Sequence, residues 1–452
     1  MPLRPKQLPS CLAGLILLAA IALAACTPSV GAGTSADTLP EPGRIESLQD
    51  LRTILGRIAD APPDAAQRQA DQLYGQLVAE RQVPLALGTW VAFFFKGEAE
   101  QVHWRGAFSN WQEPGARGER VGDTDLWVGL VEMPTATRSE YQMRVDGADW
   151  QADPANPDQQ WSGLSGQNSL LTMPGFAVTD EGLSRTAADV GTLTGDRVID
   201  SESLGYAVNY RVYTPSGYAN LKSLPVMYLL DGNDFVDERM GAIVIVLDNM
   251  IASGRVQPLL AVLIDARDPA DPGRNRREEE FLARPEEYAR FITEELVPVI
   301  DAAYRTDPRP EARVIVGVSY GGVSALYIAA AASDVFGNLA AMSPAMWVFG
   351  EETSLADPRM VAGIQRMRPT IMATVECGGE TGHRCPRLPV KFFLTAGLPT
   401  WDVGDLSEMK AVLEGAGYPV ELHQVREGHS WAQWRGLTDE LLEYFFGSGE
   451  AN

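Results

Sequence analysis

The stretch Val314-Ile315-Val316-Gly317-Val318-Ser319-Tyr320-Gly321-Gly322 sets a G-x-S-x-G turn directly after a β-branched run. It opens into Val323-Ser324-Ala325-Leu326-Tyr327-Ile328-Ala329-Ala330-Ala331-Ala332, a run of good helix formers. Strand, sharp turn and helix are the context in which a serine hydroxyl stands exposed at the carboxyl edge of a sheet. The glycines on either side of the serine let the backbone turn there without a Cβ clash. Ser319 is therefore the candidate nucleophile. The competing reading is an ordinary glycine-rich turn with an inert serine.

Outward from this turn, strands alternate with helices from about residue 197. Tyr206 to Tyr213, Val226 to Leu230, Leu259 to Ile264, Arg313 to Val316, Val390 to Thr395 and Val420 to Val425 read as strands. Ile243 to Ala252, Pro285 to Ala303, Leu406 to Glu414 and Gly436 to Phe446 read as helices. Such alternation implies a doubly wound parallel sheet, and with the elbow it predicts an α/β-hydrolase fold over residues 197–447. Before it, residues 179–196 read as a linker. Residues 85–178 carry short strands between Gly, Asn and Asp clusters and predict a small β-sandwich, whose many tryptophans suit either a core or a sugar-stacking surface. Residues 44–84 show apolar spacings of three and four, broken at Pro62-Pro63, and predict a pair of helices.

A serine nucleophile needs a base, and the base needs an orienting acid, in the chain order Ser, Asp or Glu, His. Only His383, His423 and His429 follow Ser319. His423 falls inside a strand, and His383 comes well before the expected position. His429 follows the last strand in Glu427-Gly428-His429-Ser430-Trp431, so it is the candidate base. The acid belongs just past strand 390–395, where Asp402 and Asp405 are available. Asp405 reads as the N-cap of the next helix, which leaves Asp402 as the preferred acid. Two backbone N–H groups must hold the oxyanion. Tyr320 supplies one, and the loop Asp231-Gly232-Asn233-Asp234 supplies the other, with Asn233 the preferred donor.

The amino terminus has a positive start followed by a short apolar run from Leu12 to Ala25, which predicts a signal peptide over residues 1–25. Leu23-Ala24-Ala25-Cys26 resembles a bacterial lipobox, which implies acylation of Cys26. For a Gram-negative lipoprotein, Thr27 after it implies the outer membrane, with a periplasmic location as the alternative. Residues 26–43 are a flexible tether. With Cys11 and Cys26 consumed, Cys377 and Cys385 remain as an even pair in an exported chain, and a disulfide is expected between them. His383 nearby adds one metal-ligand type without a fourth, so no metal is expected. The formal net charge of −23 argues against nucleic-acid binding and against contact with anionic membrane other than through the lipid anchor.

Several blocks together resemble the enterochelin (enterobactin) esterase branch of the esterase D/Fes-type family. They are Tyr228-Leu229-Leu230-Asp231-Gly232, Glu295-Leu296-Val297-Pro298, the elbow, Met342-Ser343-Pro344-Ala345-Met346-Trp347, and Gly428-His429-Ser430-Trp431 with Trp434-Arg435. Phe108-Ser109-Asn110-Trp111, Arg138-Ser139-Glu140-Tyr141 and Val145-Asp146-Gly147 likewise resemble the early-set immunoglobulin-like domain that precedes the catalytic domain in such proteins. The resemblance implies a serine esterase that needs no cofactor and acts on a small-molecule ester, with a ferric siderophore as the leading candidate. It also implies a substrate pocket near Arg276, Arg277 and Trp347. In an acidic chain those arginines would suit an anionic catecholate, or would simply pair with their own Glu278-Glu279-Glu280. Two other functions remain open at this point: a feruloyl or acetyl esterase on polysaccharide side chains, and a surface-binding lipoprotein with a silent hydrolase domain.

Overall fold

The computed structural model describes residues 45–448 apart from 164–165, 178–181, 183, 351–354, 356, 377–387, 389 and 399–401, and it leaves the side chains of 374–376 and 402–405 undescribed. The signal segment, Cys26, the tether, His383 and the expected Cys377–Cys385 bridge all lie outside the described residues.

The first helix, Leu48–Asp60, starts with a reciprocal capping box: Ser47 Oγ accepts from the Asp50 N–H, and the Asp50 carboxylate accepts from the Ser47 N–H. It breaks at Pro62-Pro63, and Pro63 begins the second helix, Pro63–Ala79, where a missing N–H is harmless. Leu51, Ile54, Ile58, Leu73 and Leu77 form the shared apolar face of this hairpin. That face packs on Ala92, Phe94, Leu126 and Val128.

Those four residues lie on one side of a four-stranded antiparallel sheet that contains Leu85–Leu87, Trp90–Lys96, Glu119–Arg120 and Leu126–Glu132. The strand Trp90–Lys96 reads as an unbroken apolar run because it is covered twice. Ala92 and Phe94 face the helices, while Val91 and Phe93 face a second, five-stranded sheet. The space between the sheets holds Trp104, Trp127, Tyr141, Met143 and Leu171, with Trp104 stacked on Phe93 at 5.6 Å. The sandwich tryptophans, which the sequence left open between core and surface, are thus divided. Trp104 and Trp127 are core, Trp150 lies against Arg105 and Arg144, and Trp111 reaches a cleft described below.

The remaining domain is built on a nine-stranded sheet. Six neighbouring strands run parallel, in the spatial order Leu260–Asp265, Val226–Leu229, Arg313–Val318, Asn338–Met342, Lys391–Gly397 and Val420–Val425. The expectation of a wholly parallel sheet is corrected at one edge. Tyr206–Thr214 pairs antiparallel with Leu260–Asp265, and both Arg197–Ser201 and Thr192–Leu193 pair antiparallel with it. The expected linker is corrected for the same reason. Thr192 and Leu193 are in the sheet, the N–H of Gly191 donates to Asp248, and the N–H groups of Thr186 and Ala187 donate to Asn249 Oδ1. The strand Asn338–Met342 and the helix Pro358–Glu376 were not anticipated, because a buried Asn-Leu-Ala-Ala-Met run carries no alternation. Apolar layers fill both faces of the sheet, which makes this the α/β-hydrolase fold.

If the helical hairpin is integral to the sandwich rather than appended, Phe94→Ala should cost about 3–5 kcal/mol, as for other fully buried phenylalanines. Urea unfolding of the full chain measures this, and an unchanged midpoint would show that the hairpin contributes nothing to the sandwich.

Candidate active site

Ser319 has φ +56° and ψ −120°, a conformation costly for any residue with a Cβ. The neighbouring glycines make it possible. A Cβ on Gly317 would stand 2.0 Å from the carbonyl oxygen of Gly321, so only glycine lets the strand and helix approach this closely. Hydrogen bonds then fix the turn. The N–H of Ser319 donates to Met342, and the N–H groups of Val323 and Ala345 donate to the Ser319 carbonyl. The next residue, Tyr320, begins the helix Tyr320–Ala331, where the first N–H groups have no carbonyl one turn earlier.

Beneath the turn lies a buried ion pair. Arg277 Nε donates to Asp231 Oδ1 at 2.8 Å, and its Nη2 donates to the carbonyl of Val318 at 2.9 Å. Both side chains are more than nine-tenths buried. One guanidinium therefore ties the loop after Val226–Leu229 to the residue just before Ser319. Asp231 itself has φ +57°, and the short helix Gly232–Val236 follows it.

His429 sits on the loop after Val420–Val425, just ahead of the helix Trp431–Gly436. Ser430 caps that helix by accepting from the Gln433 N–H. The His429 ring meets the Trp434 ring edge-on at 5.0 Å. Burial, and then the nearby charge of Arg277, push the imidazole down to about 4, so it is neutral at ordinary pH. A neutral imidazole is the form that accepts a proton.

The loop carrying His429 is also paired to the sandwich. Arg138 donates its N–H to the carbonyl of Arg426, and its own carbonyl accepts from the N–H of Gly428. Its guanidinium meets the Glu427 carboxylate at 2.5 Å, both largely buried. The backbone on both sides of Glu427, including the residue next to the histidine, is thus held by a strand of the other domain.

Ser319, Tyr320, His429, Arg277 and Trp347 all line one cleft of about 360 Å³. Trp431, Trp434, Asp231, Asp234 and Glu278 line it from the same domain, and Trp111, Glu140, Ser162 and Asn168 line it from the sandwich. Burial, and then Asp231, raise Asp234 to about 6, against its pairing with Arg267. Arg277 lines the cleft, but two of its donors are committed to Asp231 and Val318. Arg276 is corrected: it turns the other way, pairing with Asp268, donating to the Ala207 carbonyl and covering the Tyr206 ring at 4.0 Å. Asn233 occupies the first turn of Gly232–Val236 and is not among the residues lining the cleft. His423 is in its strand, with Nε2 2.6 Å from Glu421. The helix after Lys391–Gly397 begins at Asp402, so Asp405 lies within its first turn and is not its N-cap. The capping argument that separated the two aspartates fails, and their side chains are outside the described residues. The sandwich residues of the cleft were missed, because no local pattern marks a strand that will meet another domain.

The family model described as "Putative esterase" matches residues 201–444. The iron(III) enterobactin esterase of Dickeya dadantii is 26% identical over 296 residues, covering 63% of this chain and 62% of that protein. The endo-1,4-beta-xylanase/feruloyl esterase of Xylanibacter ruminicola is 28% identical over 347 residues, covering 74% of this chain and 42% of that protein. The chain thus spans at most 62% of the length of these two curated relatives. Among solved structures, the enterochelin esterase of Shigella flexneri matches with a TM-score of 0.59 at 19% identity, over 80% of this chain and 94% of that one. The ferric enterobactin esterase of Salmonella typhimurium matches with a TM-score of 0.59 at 20% identity, over 79% and 93%. At these identities the likeness is one of fold.

Removing one partner of a buried pair leaves the other charge uncompensated. Arg277→Leu is therefore expected to cost about 3–5 kcal/mol, and Arg277→Leu with Asp231→Leu to recover a large part of that. Denaturant midpoints of the two variants measure it, and a double variant no more stable than the single would count against the pair as the tie beneath the elbow.

Proposed function

This chain belongs to the esterase family whose model covers residues 201–444, and on that premise we propose that it is a serine carboxylic-ester hydrolase. The observation that carries the proposal is the strained Ser319 at a strand–helix elbow, opening on the same cleft as a half-buried, neutral His429. In this reading Ser319 Oγ attacks the ester carbonyl while His429 takes its proton. The tetrahedral oxyanion is held by the N–H of Tyr320 and by a second backbone N–H from the loop after Val226–Leu229. His429 then returns the proton to the departing alcohol, leaving an acyl-serine. Water, activated by the same base, releases the acid and restores Ser319. Asp402 orients the imidazole, with Asp405 as its competitor. No metal or organic cofactor takes part in this sequence.

The substrate we propose is the ester of a catecholate siderophore. The iron(III) enterobactin esterase relative supports this, and so do the aromatic walls formed by Trp111, Tyr320, Trp347, Trp431 and Trp434. The cleft is near the lower end of ligand-pocket volumes, about 300–1,000 Å³, which suits one aromatic arm at a time. The feruloyl esterase relative supports a second reading, a feruloyl ester on a polysaccharide, which would use the same walls. We further propose that the chain is exported and held at the outer membrane through an acylated Cys26, with Cys377 and Cys385 joined in a disulfide.

Ser319→Ala should remove labelling by a fluorophosphonate probe and lower turnover of a catecholate trilactone on the order of 10⁵-fold or more. Undiminished turnover in that variant would refute the mechanism. Turnover of a feruloyl ester alone would move the substrate to polysaccharide side chains. Because protonated His429 cannot act as a base, kcat/KM should fall only as pH drops toward about 4, well below an ordinary histidine near 6.5. An acid limb at pH 6 or above would contradict the neutral state of His429.

A further inference from the structure

The sandwich strand Arg138–Val145 sends alternate side chains to opposite faces. Tyr141 and Met143 fill the sandwich core, while Arg138, Glu140 and Gln142 stand on the other face. On that face a directional hydrogen-bond chain runs from the neighbouring strand Val102–Gly106 to the cleft. Arg105 Nη2 donates to Gln142 Oε1 at 2.8 Å, Gln142 Nε2 donates to Asn168 Oδ1 at 2.9 Å, and Asn168 Nδ2 donates to Glu140 Oε2 at 2.5 Å. A guanidinium can only donate, so Arg105 fixes which end of Gln142 faces it, and each amide in turn fixes the next. The chain terminates at one oxygen of Glu140.

The other oxygen is different. Glu140 is 3% exposed, and its Oε1 is buried with no hydrogen-bond partner among the described residues. Yet Glu140, with Trp111, Ser162 and Asn168, lines the same cleft as Ser319 and His429. Burial raises the carboxyl to about 8, so at neutral pH it is a protonated acid. With Oε2 accepting from Asn168, the proton belongs on Oε1, where the acid can both donate and accept. A buried polar atom left unmatched in this way lowers stability unless a ligand completes it.

We propose that Glu140 is a specificity residue of the esterase, hydrogen-bonding through Oε1 a hydroxyl group on the aromatic arm of the substrate. The catalytic domain cleaves the ester, and the sandwich reads the ring. A neutral hydroxyl is the partner that fits. An ammonium group would require ionising an acid that burial keeps neutral, and an anion would meet the carboxylates of Asp231, Asp234 and Glu278 around the same cleft. The tryptophans supply flat walls for the ring that carries the hydroxyl.

The inference rests on the esterase reading, so its test separates the two. The full chain is assayed first with 4-nitrophenyl acetate, beside Ser319→Ala; absence of Ser319-dependent turnover there would remove the esterase reading, and this one with it. The methyl esters of N-(2,3-dihydroxybenzoyl)serine and N-benzoylserine are then compared. The unaltered chain should prefer the dihydroxy ester by about tenfold or more in kcat/KM, the order expected of one buried hydrogen bond. Glu140→Leu should bring that ratio to within about twofold, through a raised KM for the dihydroxy ester. Glu140→Gln, which keeps an acceptor for Asn168 and a donor in place of the acid proton, should retain most of the preference. Glu140→Asp, which withdraws the carboxyl by one methylene, should lose most of it, and it provides the same test should the leucine variant not fold. A purely structural role would instead lower turnover of both serine esters by the same factor with their ratio intact, and that result, or no preference in the unaltered chain, would overturn the proposal.

Discussion

One guanidinium underlies the geometry of the site. Arg277 lies between the loop after one parallel strand and the last carbonyl before Ser319, donating to both from a buried position. In a dry interior such a charge is costly unless its donors are matched, and here they are matched by Asp231 and Val318. The strained turn at Ser319 and the left-handed turn at Asp231 are therefore not independent features. Each is held from the far side by the same group. The charge acts further as well, because it adds to burial in keeping His429 neutral. The arginine of a structural ion pair thus adds, after burial, to what keeps the proposed base neutral.

The second constraint joins the domains. A β-strand presents backbone groups along its edges and side chains above and below, and Arg138–Val145 uses all of these. Its first residue pairs by backbone with the loop that carries His429, and its side chain closes on Glu427. Two residues further, on the same face, Glu140 enters the cleft wall. The opposite face belongs to the sandwich core. The position of Glu140 in the cleft is thus set by the same strand that holds the histidine loop.

What could be read from the chain and what could not follows physical range. The elbow was legible because its chemistry is local: glycines around a serine, β-branched residues before and helix formers after. His429 was legible by position after the last strand. Arg276 and Arg277 could not be told apart, since adjacent residues with the same chemistry point to opposite sides and only the fold decides which side is the cleft. The capping argument for Asp402 over Asp405 failed because it rested on a helix boundary, which local propensity places poorly when a glycine sits at position 404. Antiparallel pairing at the sheet edge, the packed linker and the sandwich side of the cleft depend on contacts between distant segments. No spacing in the sequence carries those.

Arg138 and Glu427 are 289 residues apart in the chain. The sandwich can complete its two sheets, and most of the parallel sheet can form, before that pairing exists. Contacts of such long separation are made late, because their loop-closure entropy must be offset by structure already in place. His429 can reach the cleft only after synthesis has passed it and the sandwich has met the second domain. A half-folded chain would carry the proposed nucleophile without its proposed base, so the hydrolysis proposed for this chain would also report that folding has finished.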